Sequence, residues 1–541
     1  MEVDSEKPSQ HSDDASNKKP TFGEVTTEAD VEVGSAQLIT AGSQQLHRKL
    51  ESKEVQLFAI GGAIGTSLYV QMGSALPKGG PAGLFIGFVV WGAVMLCVNE
   101  CFAEMVCYAP IPSPFIRLAG HFVDKSLEFA MGWNLFLNMA LLIPFEIVAF
   151  NILLGFWTDS VPVEAIIVAI MVAYAVLNVV SVKYFGVAEF YLSIGFRYWN
   201  DPGAFVEHLV PGSTGRFLGV LSCIVQATFS ICGPEYISMV AGETAMPRKV
   251  LPKAFRSFVW RILLFFVSSS LAMGIIIPYN DPTLNAVLDG NIGGSGTGAA
   301  SPYVIGMDRL KVSGLPHVVN ALIMTSVFSS GNGIFLAATR TLYGMAIDGT
   351  APKFFSKTLR NGVPIYTVLM ALAFCCLAFL QVNSSSAEVL TWLVDLITAC
   401  QLLNYGSVAF TYLHFHAAVK KQGIDRRTLP YRGKFQPYTA YVAMSGCGLM
   451  LLLLGYDLFI TGGWDVTYFF LDYTFLAAFP LALAFWKIIK RTTYVRAGNA
   501  DLEVNGLVQE IDEYEQYTAA PSPSRIAVVT GKLLRRLTLR R

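Results

Sequence analysis

Apolar residues fall in long blocks separated by short polar stretches. At roughly 20 residues per spanning helix, the blocks predict about eleven spans, centred near residues 65, 94, 143, 172, 229, 268, 331, 374, 401, 449 and 478. Residues 1–54 break the pattern, being polar and rich in Ser, Asp, Glu and Lys, and the chain turns polar again after Lys490. The expected organisation is an all-α polytopic membrane protein. A disordered cytoplasmic tail covers 1–54, a membrane domain 55–490 and a cytoplasmic tail 491–541, with no cleavable signal ahead of the first span.

Two spans carry residues that an ordinary membrane helix avoids. The first reads Ala59-Ile60-Gly61-Gly62-Ala63-Ile64-Gly65-Thr66, and a later one reads Phe229-Ser230-Ile231-Cys232-Gly233-Pro234-Glu235-Tyr236. Proline removes a helical hydrogen bond and glycine loosens the turn beside it. An interruption at membrane depth is tolerated only where the freed backbone groups face a cavity or a ligand. Taken singly, Gly61 and Gly65 fit a GxxxG packing face, and Gly233-Pro234 fits a plain kink. Taken together, about five spans apart, they point to a binding site at the interface of inverted repeats. Half-helix N-termini there offer amides to a carboxylate, and unwound carbonyls face an ammonium. That chemistry suits a zwitterionic amino acid.

Composition excludes several alternatives. Hydrophobic residues make up 53% of the chain and charged residues 14%, and the mean hydropathy is +0.49. A formal net charge of zero gives no sign of a nucleic-acid partner. The nine cysteines lie mostly within apolar spans without a CxxC pair, and the seven histidines are scattered, so neither a metal nor a cofactor is expected. There is no HExxH, no His-carboxylate set and no nucleophile elbow, and hence no catalytic residue to nominate. The terminal basic run Lys532, Arg535, Arg536, Arg540 and Arg541 reads as a solvated tail.

Lys and Arg mark cytoplasmic loops. They gather at Arg248-Lys249-Lys253-Arg256, at Lys353-Lys357-Arg360, and at Lys420-Lys421-Arg426-Arg427-Arg432-Lys434. These three loops share a side only if residues 195–199 lie outside, whereas four spans counted from a cytoplasmic N-terminus end inside near Lys183. One crossing is therefore missing. The stretch Tyr184 to Phe196 contains Glu189 and is shorter than the roughly 20 residues a span needs.

The intramembrane polar residues differ in expected role. Glu100 and Glu104 lie near the cytoplasmic end of the second span, placed to snorkel or to pair with a loop base. Glu146, beside Pro144 in mid-span, suits an internal polar network, and Glu235 just past the second break either accepts a proton or caps the half-helix. Asn332 bridges helices or lines the route, and Arg340 with Tyr343 marks a cytoplasmic helix end.

Over roughly residues 50 to 490 the chain resembles the fungal amino acid permeases of the amino acid-polyamine-organocation superfamily. The resemblance rests on the glycine-rich first span, Ala103-Glu104-Met105, Gly132-Trp133-Asn134, and Phe229-Ser230 through Glu235. It continues in Ala241-Gly242-Glu243-Thr244 with Pro247-Arg248-Lys249-Pro252, and in Ser330-Gly331-Asn332 followed by Ala338-Thr339-Arg340-Thr341-Leu342-Tyr343-Gly344. It implies a five-plus-five inverted-repeat fold with two further helices, twelve spans in all, and proton-coupled amino acid uptake by alternating access at the plasma membrane. It further implies that Ala63, Gly65 and Thr66 hold the substrate carboxylate and that carbonyls of Phe229, Ser230 and Gly233 receive the ammonium.

The family normally continues past Glu189-Phe190-Tyr191-Leu192-Ser193-Ile194 with a lysine and the rest of a fifth helix. Here the chain passes instead to Phe196-Arg197-Tyr198-Trp199-Asn200-Asp201-Pro202-Gly203, which resembles the loop before helix six. The departure coincides with the crossing missing by charge, as an incorrectly spliced or misread gene would leave it. It puts coupling in question and makes this chain a poor transporter or none. A transporter-like receptor, binding amino acid without moving it, is the rival from another class. A membrane enzyme is a third.

Overall fold

The computed structural model describes residues 71–157, 161–180, 198–288, 302–309, 314–359, 363–382, 386–460 and 462–519. Every regular element among them is helical. Eight helical stretches are long and apolar enough to cross a bilayer, and two shorter apolar helices cover 163–176 and 438–453. The expected spans from residue 94 onward each have a helix here. The interrupted core of the first span, with Ala63, Gly65 and Thr66, lies outside the described residues, as does 181–197, where the missing crossing was expected.

Helix α1 (Met72–Tyr108) is two helices meeting at Gly80, where φ is 70° and ψ is 176°. A Cβ there would be strained and would come within 2.9 Å of the Ala204 carbonyl oxygen, which already accepts the Ala82 N–H at 2.9 Å. Next come α2 (Pro114–Phe122), α3 (Lys125–Leu154), α4 (Val163–Val180), α5 (Gly212–Ser230) and α6 (Pro234–Met239). Helices α1 and α5 touch through small residues. An added Cβ on Gly79 would sit 2.2 Å from Cys223 Sγ, and one on Gly87 2.8 Å from the Cys223 carbonyl carbon. Such contacts let membrane helices approach closely, where burial of apolar surface cannot drive association.

The chain continues through α7 (Pro247–Arg261), a π-helical stretch over Ile262–Val267, and α8 (Ser268–Ile276). Short helices α9 (Pro282–Leu288) and α10 (Pro302–Arg309) precede α11 (Leu315–Ile347), α12 (Ile365–Cys375), α13 (Ser386–Lys421), α14 (Tyr438–Leu453) and α15 (Val466–Lys490). Phe470, Leu481 and Ile488 of α15 are exposed, as suits a helix whose solvent is lipid.

One end of the bundle collects the basic loops and is held by ion pairs. Arg117 meets Asp348 at 2.8 Å, Arg340 meets Glu243 at 2.9 Å, and Arg426 grips Glu104 with two bonds of 2.9 and 2.7 Å. Glu104 also accepts the Gly433 N–H at 2.7 Å, and Glu100 accepts the Tyr431 hydroxyl and the Lys434 N–H. Both acids thus pair with the loop between α13 and α14, and Glu104 holds the Arg426 guanidinium more firmly in its charged form. Asp124 caps α3 by accepting the Ser126 N–H and also binds Lys487 and Thr492.

The polar segment after Lys490 folds back onto this end. Its helix α16 (Leu507–Ala519) packs with Leu502, Val504, Val508 and Ile511 buried. Tyr108 donates to the Leu502 carbonyl at 2.9 Å, Gln422 to that of Ala500 at 2.6 Å, and the Arg248 N–H to Glu515 at 2.8 Å.

Candidate functional site

The second interrupted span is broken in the structure. Helix α5 ends at Ser230, Ile231 takes φ −90° and ψ 97°, and Gly233 takes φ 143° before α6 starts at Pro234. The Ile231 N–H still reaches Ala227 at 2.9 Å. Beyond it the ladder fails for a local reason. Pro234 has no N–H for the Ser230 carbonyl, and the Gly233 N–H, which would serve Phe229, donates to Glu235 Oε2 at 3.1 Å. Two carbonyls are thereby left without helical partners. The Ser230 hydroxyl bonds back to the Gln226 carbonyl at 3.0 Å, and the Phe229 ring packs edge-on against Phe145 with centroids 5.2 Å apart.

Glu235 does cap the half-helix, and α13 completes its environment. Tyr405 donates to Glu235 Oε2 at 2.8 Å, while Gln401, one turn earlier, donates to the Tyr405 oxygen at 2.8 Å. Helix α3 joins the same polar layer. Asn134 donates to the Cys400 carbonyl at 2.7 Å and to Asn404 Oδ1 at 3.0 Å, and Asn138 to the Ile397 carbonyl at 3.0 Å. Glu146, also on α3, accepts the Ser330 hydroxyl of α11 at 3.0 Å.

Two small cavities adjoin these groups. Phe102, Leu135, Asn404 and Tyr405 line one, Glu146, Phe229, Cys232 and Ile334 line the other, and Asn138, Glu235 and Gln401 border both. The structure therefore brings Phe229, Glu146 and Glu235 to a single cavity. Asn332 is half-buried and lines neither, whereas its neighbours Ser330 and Gly331 face Glu146. Sequence reasoning missed Gln401, Asn404 and Tyr405 of α13 and Asn138 of α3. Their signal was present: polar residues at i, i+3 and i+4 within an apolar span share one helix face.

Comparison with known proteins agrees with this architecture. A family model described as amino acid permease matches residues 54–195 and 191–496. The general amino acid permease AGP2 of Saccharomyces cerevisiae is 40% identical over 461 residues, covering 79% of this chain and 77% of its own. A proline-specific permease of Emericella nidulans is 36% identical over 477 residues, covering 83% and 86%. The dicarboxylic amino acid permease of Saccharomyces cerevisiae is 32% identical over 502 residues, covering 87% and 82%. Among solved structures, a manganese transporter of Eremococcus coleocola is 12% identical, covers 87% of this chain and 99% of its own, and has a TM-score of 0.46, too distant to assign anything.

Proposed function

Because the chain belongs to the amino acid permease family, we propose that it moves amino acids inward across the plasma membrane together with protons, by alternating access around the break at residues 231–233. The observation that carries this reading is the placement of Glu235, Glu146 and Phe229 on one cavity beside two carbonyls that lack helical partners. Those carbonyls suit an ammonium, with Ala63, Gly65 and Thr66 assigned to the carboxylate. Glu235, bonded from the break by the Gly233 N–H and from α13 by Tyr405, offers a protonation site coupled to helix geometry.

The described lining of both cavities contains two carboxylates and no Lys or Arg. An acidic substrate side chain has no counter-charge there, so neutral or basic amino acids are the favoured substrates.

Uptake of labelled amino acids into proteoliposomes with an acidic exterior tests the coupling. Accumulation should collapse with a protonophore, and Glu146→Gln or Glu235→Gln should still exchange substrate but fail to concentrate it. Wild-type accumulation that ignores the proton gradient would reject the coupling.

The family match falls in two stretches that overlap at residues 191–195, beside Ile194, after which the sequence was expected to leave the family pattern. This favours the further reading that a version with roughly 25 more apolar-rich residues after Ile194, enough for one span, is the faster carrier.

A further inference from the structure

Arg261 lies midway along the α7–α8 span and is only 7% exposed. Its Nη2 donates to the Ala254 carbonyl and to Ser257 Oγ, each at 3.2 Å, and its guanidinium carbon lies 5.7 Å from the centre of the Phe258 ring. Its Nε and Nη1 find no acceptor among the described residues. None of the ion pairs among the described residues includes it. A guanidinium keeps its charge and has five N–H donors to satisfy. Burial without a counter-charge is strongly unfavourable, so the arrangement calls for an oxyanion.

The same helix shows at what depth the oxyanion is needed. Lys249, Lys253, Arg256 and Trp260 follow one another at i, i+4, i+7 and i+11, forming one stripe, and all four are exposed. Leu263 and Leu264 continue the exposed surface beyond them. Basic residues, then tryptophan, then leucine is the order in which a helix passes from headgroups into hydrocarbon. Arg261 sits beside this stripe, roughly 100° round the helix from Trp260. Its side chain turns back to Ala254 and Ser257, the level of Arg256, as long basic side chains do near an interface. Lys249, Lys253 and Arg256 take part in none of the described ion pairs.

We propose that Arg261, with Lys253 and Arg256 at its rim, binds the headgroup of an acidic phospholipid from the cytoplasmic leaflet. The headgroup phosphate meets the exposed Lys253 and Arg256 first, and the Arg261 side chain, whose Nε and Nη1 are enclosed, turns outward to give it their two donors. The exposed cations select a net negative headgroup over a zwitterionic one, by charge complementarity at close range. The site depends on α7 crossing the membrane with its basic end at the cytoplasm and does not depend on the transport mechanism. The competing source of an oxyanion is a carboxylate of the chain itself, Glu189, which lies outside the described residues.

The full chain, purified from membranes of phosphatidylcholine mixed in equal parts with phosphatidylserine, is examined for retained lipid by native mass spectrometry. Thermal stability is measured in nanodiscs with and without phosphatidylserine. Wild type should retain phosphatidylserine over phosphatidylcholine by about fivefold or more, as one engaged cation implies, and should melt higher in the acidic lipid. Arg261→Gln should lose both effects, Arg261→Lys should keep part of each, and Glu189→Gln should change neither. Should Arg261→Gln fail to fold, the exposed pair Lys253→Gln and Arg256→Gln should still lower the enrichment. No phosphatidylserine preference in wild type, or equal enrichment in wild type and the Arg261 or rim variants, overturns the proposal. A wild type without the preference, whose melting temperature falls equally in Glu189→Gln and Arg261→Gln whatever the lipid, assigns the oxyanion to the chain and overturns it equally.

Discussion

The Tyr405 hydroxyl donates to Glu235 Oε2 at 2.8 Å, the same oxygen that accepts the Gly233 N–H at 3.1 Å. A single carboxylate thus ties the interrupted helix to α13, with Gln401 holding the tyrosine in place. Tyr405→Phe keeps the ring and removes one donor from a buried carboxylate, a loss of about 1.5–3 kcal/mol. Uptake should fall about tenfold or more at unchanged surface expression. Wild-type uptake in the variant would show that the bond has no part in transport.

Gly331 makes possible the close approach of α11 to α3 and α4. A Cβ at this position would lie 2.1 Å from the Tyr174 hydroxyl oxygen and 3.1 Å from Glu146 Cβ, and Tyr174 is fully buried and has little room to yield. Gly331→Ala should destabilise by about 1–3 kcal/mol through overpacking, read as a lower melting temperature in detergent. Tyr174→Phe in the same chain should recover part of the loss, and an unchanged melting temperature for Gly331→Ala would contradict the packing.

How much of this was legible in the sequence depends on how local its cause is. The break at 231–233 follows from Gly233 and Pro234 alone, because a missing N–H and a positive φ are properties of those residues. The capping role of Glu235 and the pairing of Glu104 with a loop base were also within reach, since each needed only a neighbour of suitable charge or a free amide nearby. Tyr405 was not, because its partner lies 170 residues away in the chain and only helix packing brings the two together. The folding of residues 495–515 onto the bundle was hidden for a related reason. Leu502, Val504, Val508 and Ile511 are too sparse to mark a core until the surface they cover is known.

Asp124 should impose an acid limit on stability. Burial opposes its charge, but hydrogen bonds from Lys487, Thr492 and Ser126 outweigh that and hold its carboxyl at about 2. The unfolded value is near 3.9, so the contribution is complete above about pH 4 and is lost as pH falls toward about 2. Asp124→Asn should therefore lower the melting temperature at neutral pH, and the gap from wild type should narrow on acidification below about pH 4. A gap that stays constant into acid would refute the linkage.

Topology gives a further prediction. Introduced cysteines near residue 200 should label from outside and those near residue 425 from inside in a version lengthened by about 25 apolar-rich residues after Ile194, enough for one span. The 541-residue chain should show mixed labelling and slower uptake. Uniform labelling and equal uptake in the two versions would mean that residues 184–196 cross unaided.

Counterflow tests the central claim most directly: proteoliposomes loaded with unlabelled amino acid receive a trace of label outside, and wild type is compared with Gly233→Leu. At a φ of 143° leucine is strained, and its side chain fills the break. Wild type should draw label inward, Gly233→Leu should not although it reaches the membrane, and a carboxylic acid lacking the amino group should compete poorly. Label bound by wild type without any exchange would contradict transport and leave a receptor in its place.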